Sequence, residues 1–331
     1  MQLMYKEVLA EYPALLKANE FTERQLKQIR GSLSSLLAES PHKEKITIVT
    51  AGSYSRGEAS EASDLDLYVL FDSDRNATDV ISGELDGIEN LLKDYIKKDT
   101  GSTETFGSKV CVRFTDILSN IGGKDDKNAD ITRRLLFILE GTWLYGEERF
   151  SQYRQELLAR YIKPNGSDGK LARFLLNDII RYYRTIATDF EHKVSDQNKE
   201  WGLRQVKLRF SRKILYFSGI VAVAETADLP QQQTLEKISD WFDYQALERI
   251  YQAAPESEQT RQMLKLYEHF LAKISDPEVR KTLEELKKED RDNCQPYCEL
   301  REKGVELSNV LTEWLNEKYP SEHQIHQALL F

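Results

Sequence analysis

Cysteine is scarce in this chain, with three in 331 residues: Cys111, Cys294 and Cys298. That excludes a disulfide framework. Cys294 and Cys298 stand four apart with no further cysteine and no nearby histidine, so no zinc site is complete there. Reduced thiols in a cytoplasmic protein are the expectation. Long apolar runs are missing too. The most apolar stretch, Ile214 to Ala224, falls well short of the roughly 20 residues that span a bilayer and reads as a buried helix. Residues Met1 to Lys6 contain no apolar signal core. No membrane partner is expected. An excess of positive charge is also absent: 46 Lys and Arg face 55 Asp and Glu, for a net charge of −9. This excludes a general nucleic-acid binder with a basic face, while leaving room for a nucleotide or a small RNA at a local patch. The five histidines are scattered. There is no Gly-rich Walker loop, Ser-His-Asp arrangement, metalloprotease motif, internal repeat or low-complexity tract.

What is present centres on one stretch. An apolar, β-branched segment, Ile46-Thr47-Ile48-Val49, leads into Gly52-Ser53-Tyr54-Ser55-Arg56-Gly57-Glu58. Ser63-Asp64-Leu65-Asp66-Leu67 follows and runs into Tyr68-Val69-Leu70-Phe71. The pattern is strand, Gly-Ser turn, polar segment, strand, with strands expected at 45–50 and 65–71. Residues i and i+2 of a strand share a face, so Asp64 and Asp66 are expected side by side. Two adjacent carboxylates repel unless a cation lies between them, and Mg²⁺ favours one or two carboxylates together with phosphate oxygens. The Gly-Ser turn offers close backbone approach and a hydroxyl for a triphosphate.

Gly52-Ser53 followed by Asp64-x-Asp66 resembles the signature of the polymerase-β-like nucleotidyltransferase superfamily. Arg56-Gly57-Glu58 and Ser63-Asp64-Leu65-Asp66-Leu67 are most similar to its bacterial branches, including the uridylyltransferases that modify nitrogen-regulatory signal proteins. The resemblance implies transfer of a nucleoside monophosphate from an NTP to an acceptor hydroxyl, with release of pyrophosphate. It implies two Mg²⁺ (or Mn²⁺) ions held by Asp64, Asp66 and a third carboxylate on a neighbouring strand. Asp116 is the candidate, at the end of a strand expected over 109–116, with Glu104 the runner-up; the alternative role for Asp116 is a cap on the segment that starts at Ile117. Gly52, Ser53 and Arg56 would bind nucleotide phosphate.

The expected fold is α+β: a small mixed β-sheet nucleotidyltransferase domain with flanking helices over residues 1–150, then an all-helical domain over 151–331. Residues 3–38 read as helix, with Pro13 a break or first turn, Thr22 a candidate cap, and Leu26, Ile29, Leu33 and Leu37 in one stripe. A helix is expected over 78–98 and another from Asp130. The latter carries Arg133 and Arg134, which either reach phosphate or solvate the helix surface. It leads to a short edge strand and a Tyr145-Gly146 turn, as the resemblance also implies. Beyond Pro164-Asn165-Gly166-Ser167-Asp168-Gly169 the chain reads as helices at about 170–192, 199–225, 234–253, 257–274, 276–290, 293–318 and 321–330.

Residues 201–213 hold five basic side chains and no acid. Leu203, Val206, Phe210, Ile214 and Phe217 form the apolar face, which leaves the cations on the flanks. The resemblance implies a helical domain that forms the other wall of a cleft and lends a lysine to the triphosphate. Lys207 and Lys213 are the candidates and Arg181 is a weaker one. The alternative is a solvated or acid-paired face, with Asp178 and Asp189 as partners. Tyr182, Tyr183 and Trp201 either stack on a base or belong to the core. The expected acceptor is a protein side chain or a small RNA. A small-molecule acceptor, or a degenerate enzyme that binds nucleotide or a partner without turnover, are the alternatives.

Overall fold

Alternating apolar residues on both sides of the Gly52 turn build the centre of a four-stranded sheet. β1 (Thr47–Ala51) and β2 (Asp66–Leu70) pair antiparallel, with Ala51 opposite Asp66 and Val49 opposite Tyr68. β3 (Cys111–Val112) adds parallel to β2, and β4 (Thr142–Tyr145) adds antiparallel to β1, giving the order β3-β2-β1-β4. The structure is a computed structural model that describes residues 4–73, 76–96, 106–163, 169–197 and 201–331. Two compact units divide the chain: Ala18–Pro164, and Met1–Lys17 together with Asn165–Phe331. The expected boundary near 150 falls inside the helix Glu147–Tyr161.

In the first unit, Ile46 and Ile48 point to one face of the sheet with Leu67, Val69 and Phe71. Leu26, Ile29, Leu33 and Leu37 cover that face from the helix Pro13–Leu37, and Leu85, Ile88 and Leu92 from the helix Ser82–Lys93. The expected stripe is therefore core. Pro13 sits in the helix's first turn, where its missing N–H costs nothing. Thr22 does not cap a second helix. Its hydroxyl donates to the Ala18 carbonyl at 2.7 Å and accepts from the Ala59 amide at 3.0 Å, so the helix runs on. The opposite sheet face contacts the helices Asn128–Leu139 and Glu147–Tyr161 through β1. β4 is an edge strand. Arg30 covers it, donating two N–H groups to the Trp143 carbonyl and stacking its guanidinium 3.7 Å from the Trp143 ring centre.

The strand expected over 109–116 is confined to Cys111–Val112, and Phe114–Leu118 is helical. Phe114 and Ile117, three apart, both reach the core, and Phe114 stacks on Tyr153 at 3.9 Å between ring centres. Arg113 and Asp116, also three apart, form an ion pair across this turn. Helical spacing thus overrides the alternation of Val110, Val112, Phe114 and Asp116.

The second unit contains helices alone among its described residues, with Tyr5–Val8 from the N-terminal segment beside Ala246–Ala253. The helix expected over 199–225 is three pieces. Gly202–Lys207 and Lys213–Ala224 flank a π-helical segment, Leu208–Arg212. The helix expected over 234–253 is likewise two, Gln231–Asp243 and Ala246–Ala253. No described helix is long and apolar enough to cross a membrane.

Candidate active site

β1 ends at Ala51, and the chain reverses at Gly52, whose φ is +76°. A side chain is excluded there twice over. The conformation is left-handed, and a Cβ would lie 2.8 Å from Asp66 Oδ2. Glycine at 52 is what lets the Asp66 carboxylate lie against the turn. Within the turn the Arg56 amide donates to the Gly52 carbonyl and the Glu58 amide to the Ser53 carbonyl. No described residue accepts from the amides of Ser53, Tyr54 or Ser55, and none pairs with the Ser53 hydroxyl. Three successive N–H groups beside a left-handed glycine are the makings of an anion-binding nest.

Asp66 opens β2 and is half-buried; its carbonyl accepts from Thr50 Oγ1 at 2.8 Å, which ties the two strands at the turn. Asp64 precedes the strand and is exposed. It lies near Tyr54, whose phenol is pushed up to about 12 by burial and then by the Asp64 charge. Tyr68, two residues beyond Asp66 on the same face, is fully buried and its hydroxyl has no hydrogen-bond partner among the described residues.

Arg56 does not project outward. It is buried between two carboxylates, with Nε 2.9 Å from Glu58 and an Nη 2.5 Å from Glu140. The second oxygen of Glu140 accepts from the Gly52 amide at 2.9 Å. Sequence reasoning passed over Glu140 because nothing local links residue 140 to residue 52. The signal is topological: β4 pairs Thr142 with Thr50, so the same register carried two residues further sets Glu140 opposite Gly52.

Arg133 and Arg134 are buried, which overturns their reading as surface solvation. Arg134 grips both oxygens of Asp126, at 3.0 and 2.9 Å, and donates Nε to the Tyr161 hydroxyl. Arg133 stands 3.6 Å from Asp130. Asp116 is exposed and both its oxygens accept from Arg113. Glu104 lies outside the described residues. Among those described, no three metal-ligating side chains come together. Asp66 against the Gly52 turn, with Asp64 near Tyr54 of the same turn, fits a divalent cation that arrives on a triphosphate, since such ions take one or two carboxylates plus phosphate oxygens.

In the helical unit, Lys213 donates to the Gly304 carbonyl and to the Ser308 hydroxyl. Burial, then the charge of Arg209, holds its ammonium down to about 8. Lys207 is half-buried on the turn before the π segment. Arg181 stands 3.6 Å from the buried Asp178. Tyr182 and Trp201 belong to the core, whereas Tyr183 is half-buried and stacks on Tyr216 with centres 4.4 Å apart.

No curated protein was found to match the chain. A family model described as a nucleotidyltransferase domain matches residues 26–134, a span that holds the Gly52 turn, both aspartates and three of the four strands. The segment that places Asp66 against Gly52 is a nucleotidyltransferase domain of the polymerase-β-like superfamily.

Proposed function

We propose that the chain transfers a nucleoside monophosphate from an NTP to a hydroxyl of a protein or small RNA. The observation that carries this reading is the Gly52 turn, with its three open amides and Asp66 laid against it. The Ser53–Ser55 amides and the Ser53 hydroxyl receive terminal phosphate oxygens. Donors fixed before the substrate arrives need no reorganisation during reaction. Asp64 and Asp66 would hold the Mg²⁺, or Mn²⁺, that accompanies the triphosphate. The bound cation supplies charge neutralisation and lowers the pKa of the acceptor hydroxyl. The acceptor oxygen bonds to the α-phosphorus as the bond to the bridging oxygen breaks, and pyrophosphate leaves. Positioning and charge carry the rate, since the protein itself forms no covalent bond.

One observation favours a second reading, nucleotide binding without turnover. Asp116 is engaged by Arg113, and no third carboxylate joins the pair among the described residues. A single experiment separates the two. Cell lysate, split into protein, RNA and small-molecule fractions, is incubated with each α-labelled NTP and Mg²⁺. Label in the protein or RNA fraction together with pyrophosphate release supports transfer. Label in the small-molecule fraction replaces the proposed acceptor class. Tight NTP binding with no label in any fraction supports the binding reading.

A further inference from the structure

Glu140 follows the helix Asn128–Leu139 and precedes Gly141, where a Cβ would come within 2.5 Å of the Phe137 carbonyl oxygen. That tight bend delivers the chain into β4, and β4's register brings Glu140 to the end of β1. There one carboxylate grips the turn at two points. Oε1 takes the backbone N–H of Gly52, at the turn's start. Oε2 takes the guanidinium of Arg56, four residues on, and Arg56 in turn holds Glu58. The Arg56, Glu58 and Glu140 side chains are 7, 5 and 1% exposed. Charge-assisted hydrogen bonds at that depth are short, directional and costly to leave unmade.

We propose that Glu140 is a positioning residue for nucleotide binding. It fixes the Gly52–Glu58 turn in the shape that presents the Ser53–Ser55 amides and brings Gly52 against Asp66. It does so from outside the 26–134 span that the family model covers. The inference rests on the nucleotidyl-transfer reading only for the identity of the ligand. Glu140 acts through Gly52 and Arg56: by holding these two points it keeps the Ser53–Ser55 amides, which no described residue engages, within a turn of fixed shape.

The test uses the full chain and two variants, Glu140→Gln and Glu140→Ala. Two quantities are read on the same samples: amide hydrogen exchange of the peptide covering 50–60 in the absence of ligand, and affinity for Mg·ATP, Mg·GTP, Mg·CTP and Mg·UTP by titration calorimetry. In Glu140→Ala, exchange in the turn rises by about tenfold or more, the factor expected for one lost charge-assisted hydrogen bond. Exchange within Glu258–Ser275 stays unchanged. Affinity for whichever NTP the parent binds falls by about the same factor. Glu140→Gln lies between, because its amide oxygen still accepts from Gly52 but brings no charge to Arg56. If Glu140→Ala does not fold, Glu140→Gln against the parent decides. Equal protection of the turn in parent and variant overturns the proposal, as does a loosened turn with unchanged affinity. A parent that binds none of the four nucleotides overturns the nucleotide reading instead, and the exchange data still decide whether Glu140 holds the turn.

Discussion

In the unit Ala18–Pro164, buried guanidiniums meet carboxylates: Arg56 lies between Glu58 and Glu140, and Arg134 grips both oxygens of Asp126. In the helical unit, Lys213 donates to a carbonyl and a hydroxyl, and Arg209 beside it makes no ion pair with any described residue. A buried charge with an opposite partner fixes geometry, because losing the partner leaves an ion stranded in a poor solvent. A buried amine among neutral oxygens instead carries a depressed pKa and gains from shedding its proton. Charge in the first unit therefore shapes backbone, most clearly at the Gly52 turn. In the second, Lys213 is held by neutral oxygens at the end of the π-helical Leu208–Arg212, an irregularity of the kind often found at functional sites.

Substitutions sharpen this contrast. The largest stability loss is expected for Arg134→Ala, roughly 3–5 kcal/mol, because the buried Asp126 carboxylate loses the guanidinium that grips both its oxygens; denaturant unfolding measures it, and a loss under about 1 kcal/mol contradicts the claim that this pair fixes the fold. Gly52→Ala comes next, at roughly 1–3 kcal/mol for the left-handed backbone alone, with the Asp66 contact added. Gly122→Ala serves as its control, since Gly122 shares the φ of +76° but has nothing within 4 Å of a built Cβ. Equal costs at 52 and 122 would show that Asp66 does not press on the turn.

Lys213→Met probes the other half. The unfolded chain keeps the lysine proton to about 10.5, while the folded chain releases it near 8. Between those values the unfolded state binds more protons, so this group makes stability rise with pH. Lys213→Met is expected to flatten that rise in denaturant midpoints taken across the window, and an unchanged slope argues against a buried amine. The smallest effect belongs to Asp116→Asn. Its pair with Arg113 is about half exposed, so less than about 1 kcal/mol is at stake, and nucleotidyl transfer is expected to persist. Loss of transfer would return Asp116 to the site.

The Gly52-Ser53 and Asp64-x-Asp66 elements were legible in sequence because their meaning is local: a glycine that must turn and a carboxylate that opens a strand. The helix stripe Leu26-Ile29-Leu33-Leu37 was legible from its period. Arg133 and Arg134 were not, since a basic pair in a helix looks the same whether solvated or buried, and for Arg134 only the distant Asp126 and Tyr161 decide. Arg113 to Leu118 carried two periods at once, and burial of Phe114 with Ile117 selected the helical one. Glu140 was out of reach for another reason. Its partners are 84 and 88 positions away in sequence, and only the pairing of β4 with β1 joins them.

The most direct test of the account compares the parent with Asp66→Ala. Both are given α-labelled NTP, Mg²⁺ and the lysate fraction that accepts label. The parent is expected to label the acceptor and release pyrophosphate, and the variant to lose about a thousandfold of that activity at an unchanged unfolding midpoint. Undiminished labelling by a folded Asp66→Ala protein would contradict the account.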